Sequence, residues 1–124
     1  MTAYSVTITP ATTSSRILIY GSFGLQSGGS GTTQGAFYQL QRSTDGGSTF
    51  PTTVGPNVPT SGYTDAAIGL NGANAINSVL SFTFLDSPAT TNSCIYRIRI
   101  LANGTNTVVT TGAGGQFTAL EIAG

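Results

Sequence analysis

The chain has 124 residues, with four basic and four acidic side chains, no histidine and a formal net charge of zero. This length is that of one domain. The chain has no surplus of positive charge with which to neutralise phosphates or to bind anionic lipid, so neither nucleic acid nor a membrane is expected as a partner. Thr, Ser and Gly are abundant and the helix formers Lys, Glu, Gln and Met are scarce, which favours strands over helices.

Short segments in which apolar and polar residues alternate, separated by breaks that contain Pro or Gly, predict the strands. The first runs from Tyr4 to Ile8 and ends before Pro10. The others are residues 15–24, 36–43, 78–85, 93–102, a short strand at Val108 and Val109, and 116–122. Seven or eight strands with no helical period predict an all-β, single-domain antiparallel β-sandwich or jelly roll.

Two segments between the predicted strands have a different composition. Residues 26–35 (QSGGSGTTQG) are rich in Gly and Ser and are predicted to form a flexible loop. In residues 51–77, prolines interrupt any strand ladder, and Asn71-Gly72 marks a turn. Residues 26–35 are therefore not expected to build a core, whereas a long loop such as residues 51–77 is often where function lies.

Two of the predicted strands are apolar on both faces, as expected of central strands. One is residues 15–24. In the other, residues 93–102, one face carries Cys94, Tyr96, Ile98 and Ile100, and the opposite face carries Ile95, Arg97, Arg99 and Leu101. A strand of this kind can pack one face into its own core and the other against a second subunit. Together with the zero net charge, this pattern predicts a homotrimer.

Residues 43–50 (STDGGSTF) resemble the Asp-box, the motif S-x-D-x-G-x-T-[F/W] that is repeated in sialidase propellers. The matching positions are Ser43, Asp45, Gly47, Thr49 and Phe50. The carboxylate can accept backbone N–H bonds across the turn, and glycine permits a positive φ. One copy in a chain too short for a propeller predicts a structural hairpin turn and not a sialidase site.

The remaining reactive side chains do not form a catalytic pattern. The carboxylates available for acid–base chemistry are Asp45, Asp65, Asp86 and Glu121, and of these Asp45 and Asp86 look like turn residues. Without histidine there is no Ser-His-Asp triad, no histidine metal site and no base to activate Cys94. Cys94 is expected to be a small core residue that forms no internal disulfide. We therefore expect no enzymatic activity, no metal and no cofactor.

Arg97 and Arg99 emerge on one face of the strand at residues 93–102. They are either ligands of a sulfated or acidic glycan or part of a contact between subunits, where Arg is common. The subunit contact is the favoured interpretation. The candidate residues of this trimer seam are Arg97, Arg99, Tyr96 and Ile98.

The segment Phe84–Arg97 (FLDSPATTNSCIYR), the IRI that follows and the final FTALEIAG resemble the C-terminal jelly-roll domains of tailed-bacteriophage virion proteins, fibres and capsid decorations alike. The positions that carry the resemblance are Leu85–Pro88, Tyr96–Ile98 and Thr118–Ile122. The resemblance implies a fold similar to the tumour necrosis factor-like trimers and no enzymatic activity. On this basis residues 1–14 are expected to be an N-terminal arm and edge strand, and residues 15–124 the jelly-roll domain.

The resemblance leaves two roles open. The first is a capsid decoration, or cement, protein that binds the major capsid protein of the same virion as a trimer and stabilises the shell. The second is the receptor-binding tip of a tail or head fibre, with a host-surface glycan as ligand. No shaft segment is recognisable, which favours the cement role. The N-terminus has neither the cationic start nor the apolar stretch of a secretory signal, so we expect synthesis in the host cytoplasm and a place on the capsid exterior.

Overall fold

A computed structural model describes residues 2–28, 34–54, 66–70, 76–103, 108–111 and 115–124. These residues form β-strands and no helix, so the all-β prediction is confirmed for them, and they include no helical segment able to cross a membrane. The strands are β1 Thr2–Ile8, β2 Arg16–Gly28, β3 Gln34–Ser43, β4 Thr52–Thr53, β5 Ala66–Leu70, β6 Ile76–Asp86, β7 Cys94–Asn103, β8 Val108–Thr111 and β9 Gln116–Ile122.

The strands form two antiparallel sheets. In the first sheet the order is β1-β7-β3, and both β4 and β5 pair with the other edge of β3. In the second sheet β2 lies between β6 on one side and β9 and β8 on the other, with β9 along its first half and β8 along its end. Residues from both sheets share one core, which is the arrangement of a β-sandwich.

Several strands are longer than the sequence predicts, whereas β9 has the predicted bounds. Residues 26–28 lie in β2 and residues 34–35 in β3, so the prediction of a flexible loop is wrong for them. The reason is that β6 and β8 pair with this end of β2 from both sides, and these backbone pairs outweigh the weak strand propensity of Gly and Ser. The loop residues 29–33 and the turn at Asn71-Gly72 lie outside the described residues.

The N-terminal residues are built into the sandwich. β1 pairs with β7 along its full length, from Thr2 opposite Ile100 to Ile8 opposite Cys94, and forms an edge of the first sheet. Beyond β1, the backbone N–H of Ala11 donates to Glu121 Oε1 at 2.7 Å. The N-terminal segment expected to form an arm is thus attached to the rest of the domain by the pairing of β1 and by the contact of Ala11 with Glu121.

The core lies between the inward faces of the two sheets. From β7, Cys94, Tyr96 and Ile98 point into it, and all three are fully buried. Ile17 and Ile19 of β2 face them from the second sheet. Further along the sandwich the core becomes aromatic, with the rings of Tyr4, Phe23, Phe82 and Phe117 in contact and the Tyr4 and Phe23 centroids 4.7 Å apart.

Gly21 is placed where the core leaves no room for a side chain. A Cβ at this position would lie 2.7 Å from the Phe82 ring and 2.9 Å from the backbone oxygen of Gln116. We expect Gly21→Ala to lower the free energy of unfolding by about 1–3 kcal/mol through overpacking. The matched control is Gly24→Ala in the same strand, where nothing lies within 4 Å of the added carbon. Urea unfolding checks the pair, and an equal effect of both substitutions would contradict the packing argument.

Candidate functional site

A buried ion pair connects the two sheets. Arg42 Nη1 on β3 donates to Asp86 Oδ2 on β6, and the Tyr96 hydroxyl on β7 donates to the same oxygen at 2.7 Å. Asp86 is buried and is the last residue of β6, paired with Ile17, so its interpretation as a turn residue is wrong. The alternation of β6 explains the difference, because Asp86 is in phase with the inward-facing Phe84 and continues the core face of the strand.

The surroundings of this ion pair keep its neighbours neutral. Burial, and then the hydrogen bond to Asp86, raise the pKa of the Tyr96 hydroxyl far above its usual range. Burial also raises the pKa of the Cys94 thiol, which therefore stays protonated at neutral pH. The Asp86 carboxylate already accepts hydrogen bonds from Arg42 and Tyr96 of its own chain. This cluster therefore stabilises the contact between the two sheets.

The four candidate seam residues do not lie on one surface. Tyr96 and Ile98 are fully buried between the sheets, so no part of them is left for a partner chain to contact. Their assignment to the trimer seam is therefore wrong. Arg97 and Arg99 lie on the outer face of the first sheet, where Arg97 is opposite Gln41 and Arg99 is opposite Gln39.

The residues of the Asp-box-like segment form a tight turn after β3. The carboxylate of Asp45 accepts from the Thr49 backbone N–H at 3.0 Å and from the Thr49 hydroxyl at 2.6 Å. The hydroxyl of Ser43 donates to Asp45 Oδ1 at 2.5 Å and accepts from the Gly47 N–H at 2.9 Å. Gly46 and Gly47 both have positive φ, 73° and 87°, which glycine adopts without strain.

This turn also holds Arg97. The Arg97 guanidinium carbon lies 3.6 Å from the centroid of the Phe50 ring, and Arg97 Nε donates to Gln41 Oε1 at 2.8 Å. A cation stacked on an aromatic face in this way is held by the ring quadrupole. Arg97 therefore has partners within its own chain, which weakens both its assignment to the seam and its assignment to a glycan site.

Asp45 and Glu121 connect loops to strands through their hydrogen bonds, and protonation of these carboxylates is expected to weaken the fold in acid. Hydrogen bonds from Ser43 and Thr49 lower the pKa of Asp45, and hydrogen bonds from Ser15 and Ala11 lower the pKa of Glu121. A depressed carboxyl pKa stabilises the fold above the unfolded value, near pH 4, and this stability is lost as the pH falls through the folded value. We therefore expect the urea midpoint of the wild type to fall as the pH drops below about 4.

The Asp45→Asn variant tests this source of the acid sensitivity. The variant is expected to be less stable than the wild type at pH 7 and to lose less stability between pH 5 and pH 2.5, because one linked proton is removed. Urea midpoints measured across this pH range give the comparison. Parallel curves for the variant and the wild type would show that Asp45 is not a source of the acid sensitivity.

The outer face of the second sheet carries the large exposed apolar side chains of the described residues. Val79, Leu120, Leu85 and Tyr20 are 67 %, 55 %, 41 % and 40 % exposed, and all four point outwards from β6, β2 and β9. We call the outward-facing residues of β2 from Arg16 to Gly24, with their partners on β6 and β9, the apolar face. Its outward positions carry one charge, Arg16, which lies at the end of the face.

Sequence reasoning did not identify the apolar face, although the alternation contains the signal. Leu85 is out of phase with the inward-facing Phe82 and Phe84, and Leu120 is out of phase with Phe117 and Ala119. Each of these leucines must therefore point away from the core. The sequence does not reveal the strand pairing that places Leu85 and Leu120 on either side of Leu18 in the same sheet.

The residues that carry the phage resemblance have structural partners here. Asp86 of the Leu85–Pro88 motif accepts a hydrogen bond from Tyr96 of the Tyr96–Ile98 motif, and Glu121 of the last motif accepts one from Ala11. Comparison of the chain with protein families, with curated proteins and with solved structures finds no match. The resemblance therefore stays a prediction.

Proposed function

We propose that the chain is a structural protein of a tailed-bacteriophage virion, a capsid decoration or cement protein that binds the capsid as a jelly-roll homotrimer and stabilises it. The observation that carries this proposal is the apolar face, where exposed large apolar side chains gather on one sheet almost free of charge. Contiguous apolar patches on a folded domain mark surfaces of contact between protein chains, which supports assembly of the chain into a larger structure. The phage setting comes from the resemblance of the sequence motifs.

The described carboxylates support a structural role without catalysis. Asp45 holds a turn, Asp86 is held by Arg42 and Tyr96, and Glu121 holds the loop after β1. A catalytic carboxylate has to reach a substrate, whereas these three accept hydrogen bonds from their own chain. Asp65 lies outside the described residues. The proposal therefore includes no enzymatic activity and no cofactor.

The proposed partners are further copies of the chain and the major capsid protein, and the proposed location is the capsid exterior after synthesis in the host cytoplasm. A trimer presents three equal sets of contacts to a shell, so weak single contacts add up to tight attachment through their high effective concentration. With four basic and four acidic residues in a chain, these contacts are expected to be mostly apolar and hydrogen-bonded. Salt screens exposed charges over a Debye length of about 3 Å at 1 M and leaves apolar contacts intact.

Sedimentation with two targets tests the proposal. Labelled protein is mixed with undecorated expanded capsids and, separately, with host cells, and each mixture is pelleted at low salt and in 1 M salt. The proposal predicts that the label pellets with the capsids at both salt concentrations and raises their rupture temperature. Label that pellets with the cells and not with the capsids would overturn the cement role in favour of the fibre tip.

A further inference from the structure

We infer that the apolar face is the surface through which copies of this chain bind one another. This inference rests on the homotrimer of the proposed function and adds the surface that forms it. It replaces the seam on β7 that the sequence suggested, where two of the four residues are buried in the core.

The apolar face is continuous across three strands. Leu18 in the central strand lies opposite Leu85 on β6 and opposite Leu120 on β9, so three leucines form one row across the sheet. In the next row Tyr20 lies between two threonines, Thr83 and Thr118. Aliphatic and aromatic side chains thus occupy the middle of the face, with small hydroxyl residues around them.

The dimensions of the face suit the centre of a protein contact. Three strands spaced about 4.8 Å apart, over residues 16–24 and their partners, span a plane of roughly 400 Å². The plane of roughly 400 Å² is about half of the roughly 800 Å² that each partner buries in a standard interface, so a stable contact would extend beyond the apolar face.

The distribution of charge indicates a second copy of the chain as the occupant. Around a threefold axis the same residues of three copies converge, so any charge near the axis meets its like. The middle of the apolar face carries no charged side chain, because Arg16 lies at its end. The hydroxyls of Ser22, Thr83 and Thr118 can both donate and accept, so they can pair with the same hydroxyls of another copy. Such a face can lie at the threefold axis of a trimer without bringing like charges together.

The opposite side of the sandwich lacks this property. Its outer face carries Arg97 and Arg99 on one strand, and the positive charge of Arg99 is one cause, after burial, of a lowered Arg97 pKa. Copies that met through this face would bring these like charges together. Of the two sheet faces, the apolar face is therefore the one suited to contact between identical subunits.

Thiol labelling with a matched control tests the inference. Thr83 lies on the apolar face and Thr7 on the outer face of the first sheet, and both are exposed strand residues. Cys94, the one natural cysteine, is buried, so the thiols of Thr83→Cys and Thr7→Cys are the accessible ones in their variants. In the assembled protein we expect the Thr83→Cys thiol to react with a maleimide at least about tenfold more slowly, because only the dissociated fraction is open to the reagent.

A charge placed on the same face provides the second readout. Leu120→Asp puts a carboxylate at a position that is 55 % exposed in the single chain, so the fold is expected to tolerate it. We expect this variant to sediment as single chains and to restore fast labelling when combined with Thr83→Cys. The control Thr7→Asp, which adds the same charge to the other sheet, is expected to leave the assembly intact.

The outcomes separate this inference from the proposed function. An assembled protein in which both thiols react equally fast, or in which Leu120→Asp stays assembled, overturns the apolar face as the contact between copies. A wild type that is a single chain in solution, and whose Thr83→Cys thiol becomes protected only on capsids, also overturns it and assigns the face to the capsid protein. Wild-type protein that fails to pellet with capsids overturns the cement role whatever the labelling shows.

Discussion

Replacement of Asp86 by alanine is expected to lower the free energy of unfolding by about 3–5 kcal/mol, because it leaves the Arg42 guanidinium charged and mostly buried without its partner. The side chains of Arg42 and Asp86 are 15 % and 10 % exposed, so water can replace little of the lost interaction. Tyr96 loses its hydrogen-bond acceptor in the same variant. Urea unfolding at pH 7, followed by circular dichroism, measures the effect.

Two further variants assign the effect to the unpaired charge. Tyr96→Phe removes one hydrogen bond to the carboxylate and keeps the ion pair, so its expected cost is smaller, about 1.5–3 kcal/mol. The double variant Arg42→Met with Asp86→Ala removes both charges and is expected to be more stable than Asp86→Ala alone. If Asp86→Ala unfolds at the wild-type urea concentration, the ion pair does not hold the sheets together.

Truncation of Phe23 to alanine is expected to cost about 3–5 kcal/mol, the range for loss of a buried aromatic side chain. Phe23 is 1 % exposed, and its ring contacts the rings of Tyr4, Phe82 and Phe117 from both sheets. Gly115 also lies against the ring, and it has no side chain that could move into the gap. Urea unfolding gives the cost.

The same substitution at Phe50 is the matched control for Phe23. Phe50 lies outside the sandwich core, half-buried under the Arg97 guanidinium, so Phe50→Ala removes a surface stacking contact and leaves no internal cavity. We expect its cost to be clearly smaller than that of Phe23→Ala. Equal costs at the two positions would contradict the view that the aromatic cluster around Phe23 is the packed centre of this end of the core.

The sequence predicts the strands well where alternation is regular and neighbours are close. Residues 116–122 alternate without a break and have the bounds of β9 as predicted. Residues 93–102 alternate equally well and form β7, Cys94–Asn103. Alternation assigns residues to two faces, but it does not say which face points inwards when both are apolar. For this reason the sequence does not reveal that Tyr96 and Ile98 lie in the core.

The buried ion pair shows a second limit of sequence reasoning. Asp86 precedes Ser87-Pro88, and an acidic residue before such a break is typical of a turn. Its partner Arg42 is 44 residues away in the chain, and only the packing of the two sheets brings them together. The one local indication of burial is the alternation of inward and outward positions. Asp86 falls on an inward position of β6, and Arg42 falls on the same face of β3 as the buried Leu40.

Segments held mainly by their neighbours are predicted least well. Residues 26–28 have the composition of a loop, yet they pair with β6 and β8. β5, Ala66–Leu70, lies in a segment that the prolines mark as irregular, and it pairs with the first half of β3. In both cases pairing across the sheet decides the structure, and a single sequence does not reveal which strands will be neighbours.

The molar mass of the wild-type chain in solution, measured by light scattering at micromolar concentration, tests the central claim most directly. A subunit that assembles through an apolar face with little charge is predicted to give one species of three times the 12.6 kDa of a single chain. Dissociation of this species in 1 M salt is not expected, since apolar contacts are not weakened by screening. A single monodisperse species of 12.6 kDa would contradict the account.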